Sequence, residues 1–120
     1  MHRSMSLRVR KLLLAAAESD ATFERVRLDG TETWVGRCIH CGTRVVVPLD
    51  ARTPASGTLE HIVPRNHGGS DEPENLAVAC ARCNHGKGRR LDGRHRDDPR
   101  LQHVIALLQS RRRERLRTPH

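Results

Sequence analysis

The 120 residues suffice for one domain, but with 36% hydrophobic residues and Phe23 and Trp34 as the sole aromatics they supply only a thin core. No stretch approaches transmembrane length, which excludes membrane insertion, and Leu12 to Ala17, followed at once by Glu18-Ser19-Asp20, is too short for the apolar region of an export signal and reads as part of a surface helix. The net charge is +8, and eleven basic residues against four acidic ones from His85 onward place +7 of it in the last third, the footprint expected for a polyanionic partner.

In chain order, Ser6 to Glu18 has a helical pattern, with Ser6 as N-cap and Val9, Leu12, Leu13 and Ala16 at helical spacing. Phe23 to Leu28 and Thr31 to Arg37 flank Asp29-Gly30, the signal of a tight hairpin, with Val26 and Leu28 alternating with charge and Trp34 closing the core. Cys38-Ile39-His40-Cys41-Gly42 has the form of a zinc knuckle, and Arg44 to Leu49 follows as a strand that Pro48 marks as an edge. After a turn-rich connector, Thr58 to Val63 reads as a strand, Asn66 to Glu74 as a loop and Leu76 to Ala79 as a buried strand. A second knuckle then leads into a helix starting near Cys83, with Asn84 and Lys87 on one face. Asp97-Asp98-Pro99 opens a last helix with Leu101, Val104, Ile105 and Leu108 as its buried stripe, fading beyond Gln109 into a solvated arginine arm.

Two disulfides or one metal site would account for four cysteines. Two CxxC pairs without an export signal favour zinc held by Cys38, Cys41, Cys80 and Cys83 in a reducing, cytoplasmic setting. The 38 residues between the pairs make this a structural site tying distant segments together. Within the insert, Glu60 and His61 are neighbours on a strand, so their side chains point to opposite faces unless the approach to Pro64 distorts it.

Glu60-His61-Ile62-Val63-Pro64-Arg65, Gly68-Gly69, Asn75-Leu76 and Cys80-x-x-Cys83-Asn84-x-x-Lys87 closely resemble the HNH endonuclease family in its zinc-stapled form. The resemblance implies a small ββα-metal core with a four-cysteine zinc site over 38–90; with the helix and hairpin read from the residue pattern in 1–37 and the helix and basic arm in 91–120, the expected fold is α+β. It further implies hydrolysis of phosphodiester bonds in DNA, with His61 as general base, Asn75 bracing the loop and orienting it, and Glu60 and Asn84 as ligands of a catalytic Mg²⁺ or Mn²⁺. His85 is the alternative to Asn84, and as a ligand it would favour Mn²⁺, Ni²⁺ or Zn²⁺. Lys87, Arg65, Arg82, Arg89 and Arg90 are the candidate phosphate contacts. The remaining histidines, His2, His40, His67, His95, His103 and His120, gain no role from their spacing. DNA is the expected partner, with no membrane, no small-molecule substrate and no clear dimer interface. The competing class is a non-catalytic zinc-stapled DNA-binding module, for which a histidine base beside a carboxylate is unnecessary.

Overall fold

A computed structural model describes residues 5–117, so His2 and His120 lie outside the described residues. The fold is α+β. Helix α1 (Leu7–Glu18) starts at Ser6, whose hydroxyl accepts from the Val9 amide at 3.1 Å and satisfies one of the donors left open at a helix start. Its Leu13, Ala16 and Ala17 are buried. Arg10 is buried too, its guanidinium donating to the carbonyls of Pro48 and Asp50.

Strands β1 (Glu24–Leu28), β2 (Thr31–Arg37) and β3 (Arg44–Pro48) form an antiparallel sheet with β2 in the middle. Asp29 and Gly30 make the β1–β2 turn at φ 47° and 78°, the double left-handed geometry that matches strand twist. Pro48 lies on an edge strand, as its missing N–H requires. The expected alternation in β1 does not produce a buried face: Glu24 to Arg27 are exposed and Val26 remains 36% accessible, because no layer covers the strand. Trp34 is not the residue that closes the core. Phe23 is, 1% exposed and seated on Gly36, where any Cβ would collide with its ring, while Trp34 is half-buried with Arg25 5.5 Å over its ring.

Strands β4 (Gly57–His61) and β5 (Leu76–Cys80) pair antiparallel, from Gly57 opposite Cys80 to His61 opposite Leu76. Four consecutive buried residues, Leu76 to Ala79, show that both faces of β5 are covered. The loop between these strands contains 3-10 turns at Arg65–His67 and Pro73–Asn75. Helix α2 (Ala81–Lys87) begins two residues before the expected Cys83, with Cys80 as its N-cap, so the second CxxC pair spans a strand-to-helix junction instead of forming a knuckle. The chain continues through a wider π-type turn, Gly88–Asp92.

Helix α3 (Pro99–Arg115) opens as expected on Asp98, whose carboxylate accepts from the Arg100 and Leu101 amides, and buries Leu101, Ile105 and Leu108. Its arginine-rich end is not a solvated arm. Arg112 is fully buried and donates to Pro73 O and Ser19 Oγ, Arg111 to the carbonyls of Ile39 and His40, and Arg115 to those of Arg37 and Cys38. Arg117 caps the carbonyls of Glu18, Asp20 and Phe23. A guanidinium carries five donors, and here they satisfy carbonyls where α1, the hairpin and the first cysteine pair meet. Much of the basic charge in the last third is therefore structural.

Candidate metal and nucleic-acid site

The four cysteine sulfurs lie within 4.8 Å of one another, with Cys41 Sγ 4.0 Å from Cys80 Sγ. Tetrahedral zinc with Zn–S near ~2.3 Å places its sulfurs roughly 3.8 Å apart, so the cluster has the dimensions of a structural zinc site. The backbone prepares it: the amides of His40 and Cys80 point at Cys38 Sγ, at 3.4 and 3.2 Å. The Cys41 thiol is lowered to about 7, first by the Thr43 backbone amide, whereas burial pushes Cys83 upward, with Cys80 and Cys41 adding to the effect. Four thiols this close do not all ionise without a cation between them, which is the chemistry zinc provides. None of the four is in a disulfide.

His61 ends β4, and its Nε2 is 2.8 Å from Asp71 Oδ1. The other Asp71 oxygen accepts from Arg8 of α1 and from Arg65 at 3.1 Å. The Asp71 carboxyl is held down to about 2, chiefly by the His61 hydrogen bond and then by Arg8. Asp71 is absent from the site expected on sequence grounds. The only sequence signal for it is its place among the acids Asp71, Glu72 and Glu74.

The loop that presents Asp71 is fixed on both sides. Asn75 is 9% exposed; its Oδ1 accepts from Val63 N at 2.8 Å, and its Nδ2 donates to Val63 O and Ser70 O. Gly68 turns the chain at φ +84°, and Gly69 packs so closely on the Val63 carbonyl that a Cβ there would overlap it.

Glu60 and His61 lead to different neighbourhoods, as strand alternation requires. Glu60 is 1% exposed, with Oε2 2.6 Å from His40 Nε2 and Oε1 3.4 Å from Lys87 Nζ. Oε1 has no hydrogen-bond partner. The Lys87 ammonium also bonds Asp92 at 2.8 Å and the His61 carbonyl at 3.2 Å, and with its side chain 3% exposed it is the countercharge of buried Glu60 and partly exposed Asp92, in place of the surface position expected for a phosphate contact.

Because α2 starts at Ala81, Asn84 faces β4, its Nδ2 donating to Thr58 Oγ1 at 3.0 Å and Leu59 O at 2.8 Å. His85, one residue on, is exposed. Arg82, Arg89 and Arg90 are exposed as well and, with His85, line a shallow basic depression on α2 and the turn after it. His67 donates from Nε2 to the Asp92 carbonyl at 3.0 Å, which makes it a loop brace. No helix among the described residues is long and apolar enough to cross a membrane.

Residues 38–90 match the family model described as HNH endonuclease. Searches among curated proteins and solved structures returned no match to the chain. The matched span runs from the first zinc-spaced cysteine through both strands of the β4–β5 pair and α2 to Arg90, the stretch that contains His61, Asn75 and Asn84. Over residues 38–90 the chain thus matches the HNH endonuclease family model, and that span contains the four-cysteine cluster with the dimensions of a metal site.

Proposed function

We propose that the protein is a metal-dependent endonuclease that hydrolyses phosphodiester bonds in DNA in the cytoplasm, with His61 as general base and zinc in the cysteine cluster. The observation that carries this reading is the setting of His61, partly accessible at the end of β4, anchored at Nε2 by Asp71 and flanked by a loop that Asn75 pins in place. A neutral imidazole takes a proton from water at physiological pH. Asn75 acts through the backbone: it joins Val63 to Ser70 and so keeps the strand end and the loop in register.

For the catalytic ion, Mg²⁺ or Mn²⁺, Glu60 and Asn84 supply hard oxygen donors. Glu60 Oε1 is buried without a hydrogen-bond partner, and Asn84 commits its amide nitrogen to Thr58 and Leu59, which leaves its oxygen for a cation. Asn84 is preferred to His85 because it faces β4 while His85 faces solvent. When bound, such an ion stabilises the negative charge that develops on the phosphoryl group and the leaving oxygen. Arg82, Arg89 and Arg90 are suited to the DNA backbone, and Arg65, 62% exposed, can reach it from the His61 side.

One observation favours the second reading, a non-catalytic zinc-stapled DNA-binding module: Glu60 is already engaged by His40 and Lys87, as in a purely structural ion cluster. Incubating the zinc-loaded chain with supercoiled plasmid in Mg²⁺, in Mn²⁺ or in neither separates the two. The nuclease yields nicked or linear DNA only with the added ion; the module retards the plasmid on a gel and leaves it supercoiled under all three conditions.

A further inference from the structure

We propose that Asp71 is a positioning residue for His61: it accepts the hydrogen on Nε2, leaves Nδ1 as the atom that takes the proton from water, and is itself held by Arg8, so that helix α1 completes a site lying otherwise in residues 38–90. The inference rests on the nuclease reading for its chemistry, but the tautomer it asserts can be read without any cleavage.

An isolated imidazole exchanges between two tautomers and rotates about its side-chain bonds, so a base at a strand end needs something to select one nitrogen. An ionised carboxylate only accepts hydrogen bonds. The 2.8 Å contact between Asp71 Oδ1 and His61 Nε2 therefore requires the hydrogen on Nε2 and, in the neutral ring, leaves the lone pair on Nδ1, which has no protein partner among the described residues. The same geometry, a carboxylate behind an imidazole, sets the tautomer in catalytic triads.

The carboxylate is itself restrained. Arg8 and Arg65 converge on Oδ2, from α1 and from the turn after β4. One residue earlier, Asn75 holds the Ser70 carbonyl at 2.8 Å. The charged groups that face His61 are Asp71 from the loop, with Arg8 and Arg65 behind it, and Lys87 of α2, whose Nζ bonds the His61 backbone carbonyl instead of its ring. Glu60, the adjacent residue, is turned toward His40 and Lys87. Asp71 is thus the one carboxylate among the described residues that touches the imidazole.

The test combines a spectrum with kinetics on the full zinc-loaded chain. A long-range ¹H–¹⁵N correlation, with the His61 signals assigned by their loss in His61→Gln, should show Nε2 protonated and Nδ1 bare at neutral pH. In Asp71→Asn the amide NH₂ can donate to Nε2, and the hydrogen should shift toward Nδ1. On a DNA duplex in Mg²⁺ the same variant should lose about 10² to 10⁴-fold in kcat, the scale of a wrong-tautomer base, with KM within about threefold because no substrate contact is removed. Asp71→Glu, which restores the carboxylate, should recover to within about tenfold of the parent. Arg8→Ala should lower kcat by about two- to fivefold, as expected for one exposed ion pair out of two.

A parent spectrum with the hydrogen on Nδ1 overturns the proposal, and so does an Asp71→Asn protein at equal folded concentration that keeps the parent's tautomer and kcat. The parent spectrum needs no variant, so misfolding of Asp71→Asn does not block the test. Absence of cleavage by the parent in both Mg²⁺ and Mn²⁺ would count against the nuclease reading, while the spectrum still decides the placement of His61.

Discussion

Arg112→Ala is expected to destabilise the fold strongly, and Arg113→Ala to leave it nearly unchanged, although the two arginines are adjacent and carry the same charge. Arg112 is 0% exposed and makes three hydrogen bonds: Nε and Nη2 to Pro73 O at 3.3 and 3.2 Å, and Nη2 to Ser19 Oγ at 2.6 Å. Truncation strands two acceptors, each worth about 1–3 kcal/mol when left unpaired in the interior. It also removes a nearby positive charge from Asp20, which is buried with Oδ2 unpartnered. The loss is offset in part, since the guanidinium is costly to bury and its own Nη1 has no partner. Burial pulls the Arg112 pKa down for the same reason, with Asp20 opposing. The balance is about 2–4 kcal/mol. At about 4 °C per kcal/mol for a chain of this size, Tm should fall by about 8–16 °C. Arg113 is exposed and should stay within about 0.5 kcal/mol of the parent. Thermal unfolding of the two zinc-loaded variants by circular dichroism decides the matter. If Arg112→Ala melts within about 2 °C of the parent, the arginine-rich end of α3 behaves as a solvated arm and the structural role assigned to Arg112 is wrong.

Other perturbations test the remaining parts of the fold. Removing zinc with a chelator, or replacing Cys80 by Ser, should unfold the region around residues 38–90, because the thiolate cluster joins the start of β3 to the β5–α2 junction; loss of near-UV dichroism on chelation and its return with added zinc would show this. Gly69→Ala should cost at least about 2 kcal/mol, since its Cβ meets the Val63 backbone carbonyl, which cannot step aside as a side chain can. A denaturant midpoint equal to the parent's would contradict that packing. Asp71 makes a pH-dependent contribution whose sign follows from its lowered pKa: the stabilisation is present above the ordinary carboxyl value of 3.8 and is lost as pH falls toward about 2. The part of the parent's stability advantage over Asp71→Asn that comes from the lowered carboxyl should accordingly shrink as pH falls below about 4.

What the sequence reveals here is mainly what acts over short distances. Ser6 caps a residue three positions away, Asp98 caps two amides in the next turn, and Asp29-Gly30 needs only its own dihedral angles, so all three are legible. The cysteine pairs are legible for another reason: their spacing is dictated by the metal. The arginine run is not, because the partners of Arg112 are 39 and 93 residues away and a solvated run has the same composition as a buried one. Lys87 looks like a surface lysine until β4 brings Glu60 beneath it. The exchange of Phe23 for Trp34 in the core depends on the space left by Gly36, a cross-strand relation invisible along the chain. Asp71 stands out from Glu72 and Glu74 only after α1 delivers Arg8 and β4 delivers His61 to the same loop.

The central claim, that this HNH domain hydrolyses DNA with His61 as its base, is tested most directly by comparing the zinc-loaded parent with His61→Ala on supercoiled plasmid in Mg²⁺ at equal folded concentration. The account predicts nicked or linear product from the parent and a rate at least about 10²-fold lower from His61→Ala. Equal cleavage by both proteins would remove His61 from the mechanism, and intact but retarded plasmid with both would make the domain a DNA-binding module.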